Sequence, residues 1–196
     1  MTCTVKRRSE LAPGIWNGGT TTELFVFPAG TSYAARDFSV RASISTVELE
    51  TSLFTDLPGY RRLIMPLAGG MRLVHEGQYA VELAPYEVET FDGGWHTRSF
   101  GQCTDCNLML AAGWEGTLQP AGSGDTHACA PVTGLYALAE TAVTVSGDGE
   151  PFTAALEAGD LLLVVAGGQN GRFEITSGGD GVLGVLFTAK ENGGNK

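Results

Sequence analysis

Histidine is scarce in this chain. His75, His96 and His127 are the three among 196 residues. A metal centre built on neighbouring strands needs a His-x-His pair with a Glu close behind, because the two-residue period of a strand puts alternate side chains on one face. No two of the three histidines have that spacing, so a cluster of neutral imidazoles on a metal is not expected. The same scarcity, with no strand-to-helix nucleophile elbow, leaves no Ser-His-Asp arrangement to argue. No run of about 18 apolar residues is present, so no membrane helix is expected. Lys6, Arg7 and Arg8 lie near the start without an apolar segment behind them, which favours a cytoplasmic location over secretion. Bases are few as well: 12 against 22 acids, a formal charge of −10. A surface of that sign repels nucleic acid phosphates.

The four cysteines, Cys3, Cys103, Cys106 and Cys129, include one CxxC spacing, Cys103-Thr104-Asp105-Cys106. A structural zinc needs a second ligand pair, and a thioredoxin-like motif opens a helix. Here an apolar, strand-like run follows instead, and two separate reduced thiols are the expectation.

What the chain does have is glycine, 28 residues of it, and 43% hydrophobic residues, enough for a core. Helical periodicity is missing. Short β-branched or aromatic segments recur between turns: Leu24–Phe27, Phe38–Ile44, Arg62–Pro66, Met71–His75, Gln78–Leu83, Cys106–Ala111, Val132–Ala139, Ala142–Ser146, Asp160–Val165, Phe173–Thr176 and Val182–Thr188. About eleven short strands at this spacing predict an all-β barrel or sandwich. The second half repeats the character of the first across a Gly/Pro-rich stretch, 113–131. The expected division is a first β-roll over 1–112, a crossover over 113–131, a second roll over 132–190 joined to the first through a shared sheet, and a disordered tail over 191–196.

The densest polar segment is Trp16-Asn17-Gly18-Gly19-Thr20-Thr21-Thr22-Glu23, which reads either as a tight turn plugged by Trp16 or as a holder for a small polar molecule. Along Phe38–Ser45, Ser39, Arg41, Ser43 and Ser45 alternate with apolar residues and share one strand face, which is either solvent-facing or the lining of a barrel. Arg62 follows a Pro58-Gly59 turn and can fork onto a ligand carboxylate, with a salt bridge to Asp56 or Glu23 as the competing account. Asn107 points opposite to Cys106 and Leu108. His75 is expected at a turn, His96 in a polar loop facing solvent or ligand, and His127 exposed.

Five segments in one order carry a resemblance: Trp16-Asn17-Gly18-Gly19, Phe38–Ser45, Ser52–Arg62 with its Phe54 and Pro58-Gly59, Phe91-Asp92-Gly93, and Asp105-Cys106-Asn107-Leu108-Met109. Together, over residues 14–112, they resemble the HutD/Ves family. Val40, Arg61, Gly94 and Cys106 depart from its pattern. The resemblance implies an all-β fold of two tandem cupin-like β-rolls, a bicupin, fused into one compact unit. It further implies a metal-free, cofactor-free protein, more a regulator than an enzyme, that binds a small carboxylate such as formylglutamate in connection with histidine utilisation. A metal-independent cupin isomerase or hydrolase, or a stress-related protein without ligand, is the alternative. The candidate ligand contacts are Asn17, Thr20, Thr22, Arg41, Ser43, Ser45, Arg62 and Asn107. A homodimer covering the sheet edges is expected, with neither nucleic acid nor membrane as partner.

Overall fold

The computed structural model describes residues 1–166, 171–176 and 179–193. Among these, nineteen strands and a single 3₁₀ turn (Arg8–Glu10) make up the regular structure. The chain forms two compact units, Ala12–Trp114 and Met1–Leu11 with Glu115–Lys196.

The first unit holds β2 (Pro13–Trp16), β3 (Gly19–Phe27), β4 (Val40–Val47), β5 (Thr51–Leu53), β6 (Tyr60–Ala68), β7 (Met71–His75), β8 (Tyr79–Leu83), β9 (Glu89–Asp92), β10 (Thr97–Phe100) and β11 (Cys103–Ala111). They form a six-stranded sheet, β2-β3-β4-β11-β6-β9, and a four-stranded sheet, β5-β10-β7-β8. One apolar cluster gathers Ile64, Met71, Leu73, Leu83 and Phe91 among others; a smaller one joins Phe38, Leu57 and Met109. The other face of β4 and β11 is apolar as well: Val40, Ala42, Cys106, Leu108 and Leu110 are fully buried. Both faces of these central strands are therefore out of water, and any polar group on the inner face must find a partner inside.

The second unit repeats the plan with β1 (Thr2–Lys6), β12 (Trp114–Gly122), β13 (Thr126–Ala128), β14 (Val132–Ala137), β15 (Thr141–Ser146), β16 (Phe152–Leu156), β17 (Leu161–Val165), β18 (Arg172–Ile175) and β19 (Val182–Glu191). Its sheets run β1-β17-β14-β19-β12 and β13-β18-β15-β16. Leu135, Val143, Val145, Leu156, Leu162, Val164, Phe173 and Leu186 fill the space between them.

The expected division of the chain needs correction in four places. Residues 1–11 belong to the second unit, because β1 pairs antiparallel with β17 from Thr2↔Val165 to Lys6↔Leu161, and Cys3 and Val5 pack on the second core. The stretch 113–131 is not a bare crossover; it supplies β12 and β13, with Gly124 (φ +83°) between them. Pro120 is tolerated within β12 because that strand is at a sheet edge, where a missing N–H can face outward. Among the described residues no sheet is shared: each of the four sheets draws its strands from one unit. Finally, β19 runs on through Lys190, whose Nζ meets Glu115 at 2.9 Å, to Glu191; residues 194–196 of the expected tail lie outside the described residues.

The segment Leu156–Asp160 ties the second unit together. Gly159 takes φ +95°, and buried Asp160 accepts hydrogen bonds from Arg7 Nη1 (2.7 Å), the Arg8 amide (2.9 Å) and the Glu157 amide (3.0 Å). Burial pushes its carboxyl up, but these donors and the Arg7 charge outweigh burial and hold it below the usual value. A depressed carboxyl adds stability above its unfolded pKa and loses it as pH falls through the folded value. Asp160→Asn is therefore expected to cost about 1–3 kcal/mol at pH 7 by urea unfolding. The gap to wild type narrows below about pH 4; a gap independent of pH would refute the assignment.

Candidate functional site

Strand pairing sets three polar rungs across the inner face of the six-stranded sheet. Val26, Arg41, Met109, Arg62 and Phe91 lie side by side in one rung. Glu23, Ser43, Asn107 and Ile64 form the next, and Thr21, Ser45, Asp105 and Pro66 the third. A bulge in β3 between Glu23 and Phe25 keeps Glu23 and Val26 on the same face, although an odd number of positions, three, divides them. From these rungs Thr21, Arg41, Ser43, Ser45, Arg62, Asp105, Asn107 and Met109 line a cavity of about 460 Å³, together with Gly14, Ile15 and Trp16 of β2, Tyr33, Val47, and Ser52, Leu53, Phe54 and Thr55 from β5 onward. That volume is within the range of small-molecule sites.

Two guanidiniums dominate the cavity, and both are buried: Arg41 is 7% exposed and Arg62 5%. Arg41 Nε donates to Glu23 Oε2 at 2.8 Å and Nη1 to Ser43 Oγ at 3.2 Å, and its plane lies 4.5 Å over the Tyr33 ring. Arg62 lies 4.5 Å over Phe54 and 5.4 Å over Phe91, and Nη2 donates to Asn107 Oδ1 at 2.8 Å. Its Nε is buried without a hydrogen-bond partner. Burial draws the Arg62 pKa down to about 10, against Tyr33 and Asp105, which raise it, while Arg41 lowers it further. Arg62 is thus fully charged at neutral pH. A buried cation with an unspent N–H is the strongest polar demand in this roll.

Asn107 relays that charge. With Oδ1 taken by Arg62, its Nδ2 donates to Asp105 Oδ1 at 2.6 Å. Burial pushes the Asp105 carboxyl up to about 7, while Asn107 and Arg62 pull it down. Thr21 and Ser45 spend their hydroxyls on each other at 3.0 Å, and so do Ser52 and Ser99 at 2.7 Å.

Of the sequence-derived candidates, Arg41, Ser43, Ser45, Arg62 and Asn107 converge on the cavity; Asn17, Thr20 and Thr22 do not. The β2–β3 hairpin pairs Trp16 with Gly19, which leaves Asn17 in the exposed two-residue turn and sets the parity of β3. Thr20 then pairs with Thr46 and Thr22 with Ile44, on the opposite face from Ser43 and Ser45, and Thr21 is the hydroxyl that faces the cavity. Gly19 requires its missing Cβ: φ is +145°, and a Cβ would meet Thr46 O at 1.8 Å. Trp16 is no core plug; 39% exposed, it stands at the cavity with its ring against Gly18. Ser39 precedes β4 and is not in the lining. Arg62 pairs with neither Glu23, which holds Arg41, nor Asp56, which approaches His96 at 3.4 Å.

His96 is exposed outside the lining, and His127 is half-buried beside Gln119 rather than exposed. His75 ends β7 but is not at an exposed turn. It is 1% exposed among the rings of Tyr79, Phe91 and Trp95, with Nδ1 at 2.8 Å from Thr97 Oγ1. Cys103 and Cys106 are free thiols in β11, and burial raises both pKa values, Cys103 to about 12. Asp105 was visible as the residue two before Asn107 on one strand; Tyr33 and Phe54, the arginine platforms, carried no local signal.

A family model described as HutD matches residues 8–183. Among solved structures, a conserved protein of unknown function from Pseudomonas aeruginosa PAO1 is 23% identical with a TM-score of 0.80, covering 97% of this chain and 99% of that one. HutD from Pseudomonas fluorescens SBW25 is also 23% identical, with a TM-score of 0.75 over 98% and 100%. Oxalate decarboxylase of Bacillus subtilis is 10% identical with a TM-score of 0.67, covering 96% of this chain and 77% of that one. No curated protein matches. The fold is a bicupin. The residues in the cavity do not fit a divalent cation: two guanidiniums face one buried carboxylate, and among the described residues no three of His, Cys, Asp and Glu converge on a metal position.

A carboxyl held protonated by burial opposes folding once it must ionise. The unfolded chain releases this proton near pH 4, the folded one near pH 7, so stability falls between those values and is level above. Asp105→Asn is expected to gain on wild type across that window, by an amount on the order of a few kcal/mol, in urea titrations at pH 5 and pH 8. Equal pH slopes for the two proteins would disprove the buried-acid description.

Proposed function

The chain belongs to the HutD family, and from that premise we propose that its first roll is a metal-free receptor for a small carboxylate such as formylglutamate, acting in regulation of histidine utilisation. The observation that carries the reading is the pair Arg41 and Arg62. Both lie on one sheet face, stacked on aromatic rings and buried, and one of them holds a donor that no protein group accepts. Aromatic stacking leaves the edge of a guanidinium free, and that edge matches a carboxylate with two parallel hydrogen bonds. On Arg62 the unpartnered Nε lies on such an edge, while Arg41, with Nε on Glu23 and Nη1 on Ser43, adds a second buried positive charge suited to a ligand with two carboxylates.

A second reading draws on Asp105, whose titration near neutrality in a cavity fits a general acid or base of a metal-independent enzyme. One experiment separates the two. Calorimetric titration with formylglutamate is expected to give saturable heat, with the ligand recovered unchanged by mass spectrometry; recovery of a converted product supports the enzyme. Arg41→Ala and Arg62→Ala, each shown folded by thermal melting, are expected to weaken binding roughly tenfold or more, the equivalent of one charge-assisted pair. A folded wild-type protein that gives no heat with formylglutamate, glutamate or glutarate would overturn the receptor.

A further inference from the structure

Resting on the reading that the two guanidiniums hold a carboxylate, we propose that the cavity takes amphiphilic acids, with the carboxylate at Arg41 and Arg62 and an apolar tail running along the inner face of β4 to a rim formed by Trp16, Val47 and Leu53.

Strand pairing adds a fourth rung to the three already described. Trp16 is paired with Gly19 and Gly19 with Val47, and Trp16 and Val47 both line the cavity. Gly14 of β2 joins the third rung opposite Thr21 and brings no side chain to it. The lining therefore changes character in one direction. Guanidiniums stand on the first rung, an indole and an isopropyl group on the fourth. From Arg41 to Val47 is six residues along β4, roughly 20 Å at 3.3 Å per residue. Arg41 reaches Ser43 and Arg62 reaches Asn107, so both guanidiniums come forward to the second rung. Two rungs, roughly 13 Å, then separate them from the rim.

The side chains in between ask little of a ligand. Thr21 and Ser45 bond each other, and so do Ser52 and Ser99. Asn107 spends its carbonyl on Arg62 and its amide on Asp105. Asp105 takes that amide on Oδ1, and the Cys103 thiol stands 4.0 Å from Oδ2. Burial brings the Asp105 carboxyl to about 7, so near neutrality much of it carries a proton and sets no charge against a hydrocarbon chain. A polar ligand group in this stretch gives up its water for partners that are already paired, whereas a methylene gives up nothing.

The rim makes the complementary demand. Six large hydrophobic side chains are exposed among the described residues, and three of them line this cavity: Ile15 (88%), Trp16 (39%) and Leu53 (55%). Apolar surface gathered at the mouth of a cavity marks a place where a ligand or partner removes it from water. A tail anchored by its carboxylate on the arginines does so from inside the roll.

Calorimetric titration of the full-length protein at pH 7 with acetate, butanoate, hexanoate and octanoate, and with glutarate alongside, tests the inference. Each methylene taken out of water is worth about fourfold in affinity, and octanoate is expected to bind at least about tenfold tighter than butanoate. Trp16→Ser and Leu53→Ser, which replace exposed side chains, are each expected to cut that ratio about threefold or more. Arg62→Ala, shown folded by its melting curve, is expected to weaken butanoate and octanoate alike. Of the three tryptophans Trp16 is the one in the lining, so octanoate is also expected to shift the emission to the blue and acetate to leave it in place. A wild-type ratio near one, a ratio that both rim variants leave intact, or an octanoate affinity that Arg62→Ala does not lower overturns this inference; glutarate bound in the same series leaves the receptor standing. Heat from no acid at all overturns the receptor and this inference together. Should Arg62→Ala fail to fold, the ratios in wild type and in the two rim variants decide alone.

Discussion

Burying two guanidiniums inside one β-roll is the constraint that shapes the first unit. A cation removed from water costs several kcal/mol unless its surroundings replace the lost hydration. Here the replacement is divided among different kinds of group. Tyr33, Phe54 and Phe91 offer ring faces, Glu23 and Ser43 take donors from Arg41, and Asn107 takes one from Arg62. Asp105 adds a distant negative charge that is itself half-suppressed by burial. None of these closes the account for Arg62, whose Nε has no acceptor. The centre of the roll is accordingly a cavity, not a packed core.

The second unit shows what the same architecture does without that constraint. Its two sheets carry Leu, Val, Ile and Phe side chains in one buried apolar cluster. The polar ties of this unit sit at the margin, where Asp160 collects Arg7, Arg8 and Glu157. A filled apolar roll contributes stability through burial; a roll with charges facing inward contributes a site. The division of labour follows from which residues occupy the inner parity of the central strands.

Parity also explains what was legible in the sequence. The alternation Arg41, Ser43, Ser45 reads directly as one face of a strand, and Asn107 against Cys106 and Leu108 does too, because neither strand is interrupted between those residues. The three consecutive threonines cannot be assigned that way. Their facing depends on the Trp16↔Gly19 closure of the hairpin and on the bulge before Phe25, and a shift of one residue exchanges the two faces. Strands such as β5, β10 and β13, three or four residues with few β-branched side chains, exist because longer partners template them. The placement of β1 in the second unit is a long-range pairing that no local pattern announces. The platforms Tyr33 and Phe54 lie before the strands that carry Arg41 and Arg62, outside their alternation, so their role appears only when the chain is folded.

The comparison with oxalate decarboxylase then has a physical reading limited to the fold. A cupin-like roll presents inward-facing positions on paired strands; it does not dictate what stands on them. Imidazoles and carboxylates at such positions concentrate negative and lone-pair density suited to a cation. This chain places guanidiniums, hydroxyls and an amide there; of the two carboxylates on that face, Glu23 is bound to Arg41 and the buried Asp105 lies two rungs from the arginines. The two buried guanidiniums stand at the arginine rung, and the buried acid Asp105 lies two rungs away. That polarity, more than the volume, is what restricts the chemistry the roll can hold.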